Sequence, residues 1–548
     1  MRTAPRTAHR LAAAFAGALV LTAAAPLTQA AAATTRYEGE SATISQGVVE
    51  ANHLNYSGTG FVNTDNVTGS YVQWTVTASS AGSATVAIRY SNGTTTGRPA
   101  DIAVNGTVVA AASAFGGTTN WDTWATKTLT VNLNAGSNTV RVTATTANGT
   151  ANLDYLDLTI GSTGTGPAIP FGSHQYAYAA GTLKPSGSQS TLDAAVVSYY
   201  NAWKSAFVKQ NCGNGWYEVI SPDADHPYVA EAQGYGMVIT ALMAGADANA
   251  KTVFDGMVKF MLAHPSVNNA NLLAAEQDTA CKSVNGSDSA TDGDLDVALG
   301  LLMADKQWGS TGTYNYKQLA VNHINAIKAS EVNPTTKLML LGDWSTSGDA
   351  LYWTTRPSDF HLDHFRAFKT ATGDTFWDTV RTNHQNLITN LQTQYAPNTG
   401  LLPDFVVNTN TTAKPAPGQV LEDPNDGKYF WNSCRTPWRI GTDAITGGGS
   451  ASLTSARKLN TWIKSKTGSN PSSIAVGYSL SGTQISSGSE PAFFAPFAVA
   501  AMTDSGSQAW LDALWTKMIN TGFSSSDYYS TSIQLQVMIV ASGNYWLP

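Results

Sequence analysis

Leu192-Asp-Ala-Ala-Val-Val-Ser-Tyr-Tyr-Asn-Ala-Trp-Lys-Ser-Ala-Phe207 decides the larger part of the fold. Within it Leu192, Ala195, Val196, Tyr199, Trp203, Ala206 and Phe207 recur every three or four residues and so share one helical face. Roughly twelve segments after residue 169 carry this period. They begin near residues 190, 229, 249, 293, 313, 357, 374, 437, 450, 490, 507 and 527. Twelve amphipathic helices in succession predict six hairpins closed into a ring, and no fixed repeat supports a solenoid. Three long stretches interrupt them, 264–291, 329–356 and 395–436. Connections of that length in a helical domain are usually functional, so the chemistry is expected there.

Working back toward the start, the texture changes near residue 161. Tyr71-Val-Gln-Trp-Thr-Val76 and Ala84-Thr-Val-Ala-Ile-Arg-Tyr90 alternate with period 2, and turn clusters such as Ser91-Asn-Gly93 and Asn134-Ala-Gly136 separate such runs. This predicts an all-β sandwich over 35–161. A Gly/Ser/Thr linker, 162–168, joins it to a helical domain over 169–548. A length of 548 residues fits this multidomain reading. At the start, Arg2, Arg6 and Arg10 precede an apolar run from Leu11 to Ala25 and small residues up to Ala33. That reads as a secretory signal over 1–33, with an apolar run too short to span a bilayer. The protein is therefore expected to be extracellular and free of membrane, and a monomer is expected separately. Export permits a disulfide between two of Cys212, Cys281 and Cys434, leaving one thiol.

The formal charge is −7, from 31 basic and 38 acidic residues, and loss of the three leader arginines takes it to −10. Only 13% of residues are charged while 10% are aromatic, which argues against nucleic acid and suits sugar stacking or burial.

Three acidic constellations stand where helices meet the long stretches. Glu231, in Tyr228-Val-Ala-Glu231-Ala-Gln-Gly-Tyr-Gly-Met237, opens a helix, where an acid also compensates the dipole. Asp292, Asp294 and Asp296 precede the apolar run from Val297, where they also suit a helix cap. Their spacing is not that of an EF-hand. The third is Leu421-Glu422-Asp423, followed by Lys428-Tyr-Phe-Trp431-Asn432-Ser-Cys434-Arg435-Thr-Pro-Trp438-Arg439.

Together these stretches resemble glycoside hydrolase family 8. The Asp292 run through Trp308, the Glu231 run and Arg435-Thr-Pro-Trp-Arg439 fall in that family's order. The resemblance implies an (α/α)6 barrel and inverting hydrolysis of β-1,4-linked glucan or glucosamine polymers. It implies Glu231 as general acid, its pKa raised in a semi-apolar cleft beside Tyr235, and Asp292 as the residue holding the sugar at the scissile bond. Asp294 and Asp296 are expected to serve the helix terminus. Some members place an Asp base at the position of Asn432, but an amide cannot take water's proton. The branch bearing Asn draws its base from a Glu in the preceding loop, which makes Glu422 the expected base, ahead of Asp423 and Asp404. Tyr235, Trp344, Trp431, Asn432, Arg435 and Trp438 are the expected substrate contacts.

Residues 36–160 resemble a carbohydrate-binding module of family 35 or its relative family 6. Tyr37-Glu-Gly-Glu40, Arg98-Pro99, Val104-Asn-Gly106, Leu133-Asn-Ala-Gly136 and Asn152-Leu-Asp-Tyr-Leu-Asp157 carry that resemblance. Arg98, Trp121 and Asn152 are the expected sugar contacts there. Glu38, Glu40 and Asp157 are candidates for a structural calcium ion, since hard oxygen ligands suit it. No cofactor is expected for catalysis.

The reading is a secreted endo-acting hydrolase, with chitosan set slightly ahead of β-glucan because a negative protein attracts a cationic polymer. An endoglucanase or licheninase without chitosan activity is one alternative. A non-catalytic glycan-binding protein is another, favoured by Asn432 and opposed by Glu422. A lyase would want a Tyr or His base and basic subsites, which the acid-rich motifs do not offer.

Overall fold

A computed structural model describes residues 34–78, 82–134, 136–160, 167–222 and 226–548. The expected leader and nearly all of the linker lie outside the described residues. The described chain separates into two compact units, one ending at Pro167 and one running from Ala168 to Pro548.

The first unit is a sandwich of eleven antiparallel strands. They are β1 (Thr34–Glu38), β2 (Thr43–Ser45), β3 (Gly47–Glu50), β4 (Phe61–Thr64), β5 (Tyr71–Ala78) and β6 (Gly82–Ser91). After these come β7 (Ala100–Val104), β8 (Thr107–Ser113), β9 (Ala125–Leu133), β10 (Gly136–Ala144) and β11 (Asn152–Ile160). One sheet runs β3-β4-β11-β6-β9, with β1 also paired to β11, and the other runs β2-β5-β10-β7-β8. Period 2 explains the core: Val72, Trp74 and Val76 of β5 and Val140 and Val142 of β10 pack with Val86 and Ile88 of β6. In β11 the register shifts between Leu153 and Leu156, which keeps both leucines in the core. The β7–β8 hairpin turns on Asn105 and Gly106, both at positive φ, the backbone a two-residue hairpin demands.

The second unit contains α1 (Gln189–Phe207), α2 (Ala230–Leu242), α3 (Ala250–Ala263), α4 (Thr291–Trp308), α5 (Tyr316–Ser330) and α6 (Leu362–Thr372). It continues with α7 (Phe376–Gln394), α8 (Thr436–Ile445), α9 (Ser450–Lys466), α10 (Pro491–Phe494), α11 (Pro496–Ala501), α12 (Gln508–Asn520) and α13 (Tyr528–Ala541). The expected segment near 490 is two helices because Pro496 has no N–H to continue the first.

Two kinds of helix alternate. Every residue of α8, α11 and α13 is buried, as is all of α2 except Glu231. Helices apolar all round belong inside, whereas α1, α3, α5, α7, α9 and α12 bury one stripe and form an outer layer. Around the inside α2 packs on α4, α4 on α6, α6 on α8, α8 on α11, α11 on α13 and α13 on α2. This closed ring is the (α/α)6 barrel.

Glycines let α2 and α4 approach at backbone distance. A Cβ at Gly293 would lie 2.5 Å from the Ala230 carbonyl carbon, and one at Gly234 would lie 2.7 Å from the Gly293 oxygen. Cys212 and Cys281 form the disulfide, tying the chain after α1 to the 264–291 stretch, and Cys434 is a buried free thiol. Among the described residues no helix is long and apolar enough to cross a membrane.

Candidate active site

Inner helices that alternate with outer ones run in one direction, so their N-termini meet at one end of the barrel. Glu231 lies in the first turn of α2 and Asp292 in that of α4. Arg435 immediately precedes α8 and Tyr528 opens α13. The close approach of α2 and α4 sets the two acids side by side.

Arg435 is the hub. Its guanidinium is fully buried, and Nη1 donates to Glu231 Oε2 at 2.6 Å, Asp292 Oδ2 at 3.2 Å and Tyr235 OH at 3.3 Å. Nη2 donates to Ser358 Oγ at 3.1 Å and Asn432 Oδ1 at 3.0 Å. Tyr528 OH reaches the other Glu231 oxygen at 3.4 Å. Arg356 adds a second guanidinium, 3.4 Å from Asp292 Oδ1. Burial pushes the Asp292 carboxyl upward, but Arg356 and Arg435 outweigh it and hold the group below the usual carboxylate range.

Glu422 stands across this hub from Glu231. Asn432 connects the two sides, accepting from Arg435 on Oδ1 and donating from Nδ2 to Glu422 Oε2 at 2.7 Å. Only an amide can do both, because a carboxylate at 432 would have no donor for Glu422 and would repel it. Asn at 432 and Glu at 422 are thus one device. The loop carrying Glu422 is shaped by buried Asp426, which accepts from the backbone N–H groups of Val420, Leu421, Glu422 and Asp423. The Glu422 side chain keeps 24% exposure and that of Glu231 keeps 11%, so both face the cleft.

Several expected roles change. Asp404 is buried and accepts from Ser433 N, Ser433 Oγ, Asn432 N and Phe430 N. Burial pushes its pKa up to about 7 against those donors, and it braces the Asn432 turn without reaching the cleft. Asp423 accepts from Asn425 N within its own turn. Tyr235, Asn432, Arg435 and Trp438 are at most 3% exposed, so they form the wall behind the cleft and not its sugar-facing surface. Trp438 packs edge-on to Tyr235 and beneath the Arg439 guanidinium, 3.9 Å from its ring. Tyr235 turns its hydroxyl to Arg435, which in turn donates to Glu231 Oε2 at 2.6 Å. Trp344 and Trp431 remain half-buried; Trp344 packs in a small cluster with Leu341, Phe405 and Leu421, and Trp431 packs edge-on to Phe493.

Asp294 and Asp296 do not cap α4. Asp294 accepts from Leu273 N at 2.9 Å, fastening the 264–291 stretch, and Asp296 pairs with Arg439 at 2.6 Å and His364 at 2.8 Å. Asp296, His361 and His364 lie within 4.8 Å of one another, a spacing a metal ion can use. Arg439 already supplies the positive charge there.

Sequence reading missed Arg356, Asp359, Ser358 and Tyr528. Arg356-Pro357 at the end of a long connection was the available signal for the first three.

In the sandwich, Arg98 lies over Trp121, 5.4 Å from its ring, and donates to Asn66 Oδ1 and Thr150 O, both at 3.1 Å. Asn152 pairs across the sheet with Ser91, whose hydroxyl donates to Trp121 O at 2.9 Å. The three expected sugar contacts are therefore neighbours, although Asn152 is buried. The expected calcium set needs correction at Asp157. Arg36 grips that carboxylate with Nε and Nη2, each at 2.8 Å, and leaves it unsuited to a cation. Glu38 Oε2 and Glu40 Oε2 are buried without a hydrogen-bond partner, which fits hard oxygen ligands. Buried Asp154 is the acid beside Glu38, and it accepts from Ser57 N and Arg89.

The fold and site define a polysaccharide-cleaving barrel with an appended sugar-binding sandwich. Residues 183–543 match the glycosyl hydrolases family 8, and residues 38–160 match carbohydrate binding module family 6. The chain belongs to glycoside hydrolase family 8 and is a glycosidase. It is 47% identical over 381 residues to a beta-glucanase of Niallia circulans, covering 69% of this chain and 92% of that one. The apo structure of a beta-1,3-1,4-glucanase from Paenibacillus sp. X4 superposes with a TM-score of 0.67 at 47% identity, covering 70% of this chain and 100% of that one. The sandwich is 57% identical over 122 residues to part of an exo-beta-D-glucosaminidase of Amycolatopsis orientalis, covering 22% of this chain and 12% of that one.

Proposed function

We propose that the protein is an exported endo-β-glucanase that cleaves β-1,4 bonds with inversion at the anomeric carbon. The observation that carries this is the pair of cleft-facing carboxylates, Glu231 and Glu422, held on opposite sides of the Arg435–Asn432 bridge. An inverting glycosidase needs one acid at the leaving oxygen and one base with room for a water. Glu231 hands its proton to the glycosidic oxygen while Glu422 takes one from water on the other face. Asp292, kept ionised by two guanidiniums, holds hydroxyls of the sugar at the scissile bond. Sugar filling the cleft strips water from Glu231, which favours the protonated acid.

The names of the family relatives move β-glucan ahead of chitosan. Chitosan stays as the second reading on one observation, the likeness of the sandwich to part of a glucosaminidase. Export rests on the leader and on the Cys212–Cys281 disulfide. The sandwich binds polysaccharide through the Arg98–Trp121–Asn152 end, and a structural calcium ion at Glu38 and Glu40 would neutralise their buried oxygens.

Reducing-sugar release from barley mixed-linkage glucan, carboxymethylcellulose, chitosan and xylan ranks the substrates, with mixed-linkage glucan expected first. Proton NMR in the first minutes should show α-anomer product. Early β-anomer rejects inversion, and cleavage of chitosan alone rejects the glucan reading.

A further inference from the structure

Arg356 stands at the end of the 329–356 connection, 8% exposed, and faces carboxylates from three separate segments. Nε lies 3.1 Å from Asp359 Oδ2, Nη2 lies 3.4 Å from Asp292 Oδ1, and Nη1 lies 3.4 Å from Glu422 Oε1. Arg435, the other guanidinium of the site, bonds to Glu231, Asp292, Tyr235, Ser358 and Asn432 but makes no such contact with Glu422. Asp359 is fully buried, fixed by Arg356 and by Ser358 Oγ at 3.1 Å, and cannot touch a sugar.

We propose that Arg356 is a positioning residue that sets the orientation and proton affinity of Glu422, with Asp359 as its counterweight. This rests on the reading of Glu422 as the base. One donor on each carboxylate oxygen, Arg356 on Oε1 and Asn432 on Oε2, fixes the plane of the group. A second lone pair on each oxygen remains for the attacking water. The arrangement also links the base to Asp292, since one guanidinium touches both. A sugar that shifts Asp292 therefore pulls on the base through Arg356.

The charges around Glu422 fix the signs. Arg356 sets a positive charge 3.4 Å from Oε1, and Asp404 is a second carboxyl in the same loop. Arg356 in turn is shared with Asp292 and Asp359 and repelled by Arg435. Asp359 competes with Glu422 for Arg356, since both its oxygens accept from Nε.

The test is the acidic limb of the kcat/KM–pH profile on a soluble glucan oligosaccharide, where the base must lose its proton. Arg356→Met removes the cation and should move the midpoint up by about one pH unit, with at least a tenfold fall in kcat. Asp359→Asn removes the competitor and should move it down by about half a unit. Arg356→Lys keeps the charge but not the fork, so the midpoint should stay near that of the parent while kcat falls. Damage to folding does not move two midpoints in opposite directions. If Arg356→Met fails to fold by near-UV circular dichroism, Asp359→Asn and Arg356→Lys decide. An unmoved or upward limb in Asp359→Asn overturns the proposal. Glu422→Gln, run alongside, separates the two readings. Near-normal turnover there overturns the base itself, whereas an inactive Glu422→Gln with unmoved limbs overturns only the role of Arg356.

Discussion

Helix α4 carries two acids, two residues apart, that are kept in the interior by opposite means. Asp292 is surrounded by cations: Arg435 at 3.2 Å and Arg356 at 3.4 Å hold it ionised. Asp294 points the other way, into a group with Glu331 and Asp343 in which, among the described residues, no Lys or Arg takes part. Its neighbours are Leu273 N at 2.9 Å and His323 at 2.8 Å, and burial drops that histidine to about 3 and keeps it neutral. Ser289 bonds to Glu331 and Asp343, and burial raises the carboxyls of Asp294 and Glu331 well above their usual range, with Asp343 adding to both. The first group keeps charge available for a sugar; the second keeps protons and makes a strut. Of this pair, Asp292 at the cleft is given guanidiniums and Asp294 behind it is given a proton.

The largest test of this contrast is Arg435→Met. It strands Glu231 and Asp292 without their shared cation. Stability should fall by about 3–5 kcal/mol, the usual result of breaking a buried ion pair. Turnover should fall on the order of a thousandfold with loss of electrostatic organisation. Urea unfolding and initial rates on mixed-linkage glucan measure both. A loss no greater than that of a surface substitution would erase the distinction.

The sandwich poses a third case, two acids for which we propose a cation from solution. Glu38 and Glu40 each leave a buried oxygen unpartnered. Calcium at a hundred times its Kd should stabilise the sandwich by about 2.7 kcal/mol. Calorimetry of the full chain, with calcium and then with EDTA, should move one transition and leave the barrel's in place. No shift in either would remove the metal from this reading.

The smallest effect concerns the proton-holding group. Asp294 and Glu331 have folded-state pKa values above their unfolded ones. Their contribution is therefore complete at acid pH and is lost as pH rises through the folded values. Glu331→Gln keeps the shape without a proton to lose. At pH 9 it should be more stable than the parent by about 1 kcal/mol, with no advantage at pH 5. A parallel loss at both pH values, read from urea midpoints, would mean that Glu331 works as an anion.

Periodicity made the architecture legible. Helices apolar all round and helices with one stripe differ in sequence, and the start of nearly every helix follows from where that pattern begins. Glu231 and Asp292 were legible because each opens such a helix. Glu422 was reachable through Asn432, since an amide at that place demands a base elsewhere. What one chain of letters could not give was side-chain direction. Asp157 and Asp154 lie three residues apart on β11, and only the register shift and Arg36 decide which of them is engaged. Trp438 and Trp431 look alike as sugar platforms, yet one is sealed behind Arg439 and the other is half-open. Arg356 and Asp359 were missed because their partners lie on distant segments.

The ring's seam lies between its first and last inner helices, where α13 packs on α1 and α2. Gly172 N donates to Asn544 Oδ1 at 2.8 Å, Gln189 Nε2 to Ser542 O at 2.6 Å and Asn544 Nδ2 to Asp193 Oδ1 at 2.7 Å. These contacts span 350 residues or more of chain, and such distant pairings slow folding. The barrel cannot close during synthesis until α13 has left the ribosome, and Tyr528, which touches Glu231, arrives with it. A nascent chain of this topology stays open and unlocked to the end. The cleft is assembled only when α13 has closed on α1 and α2.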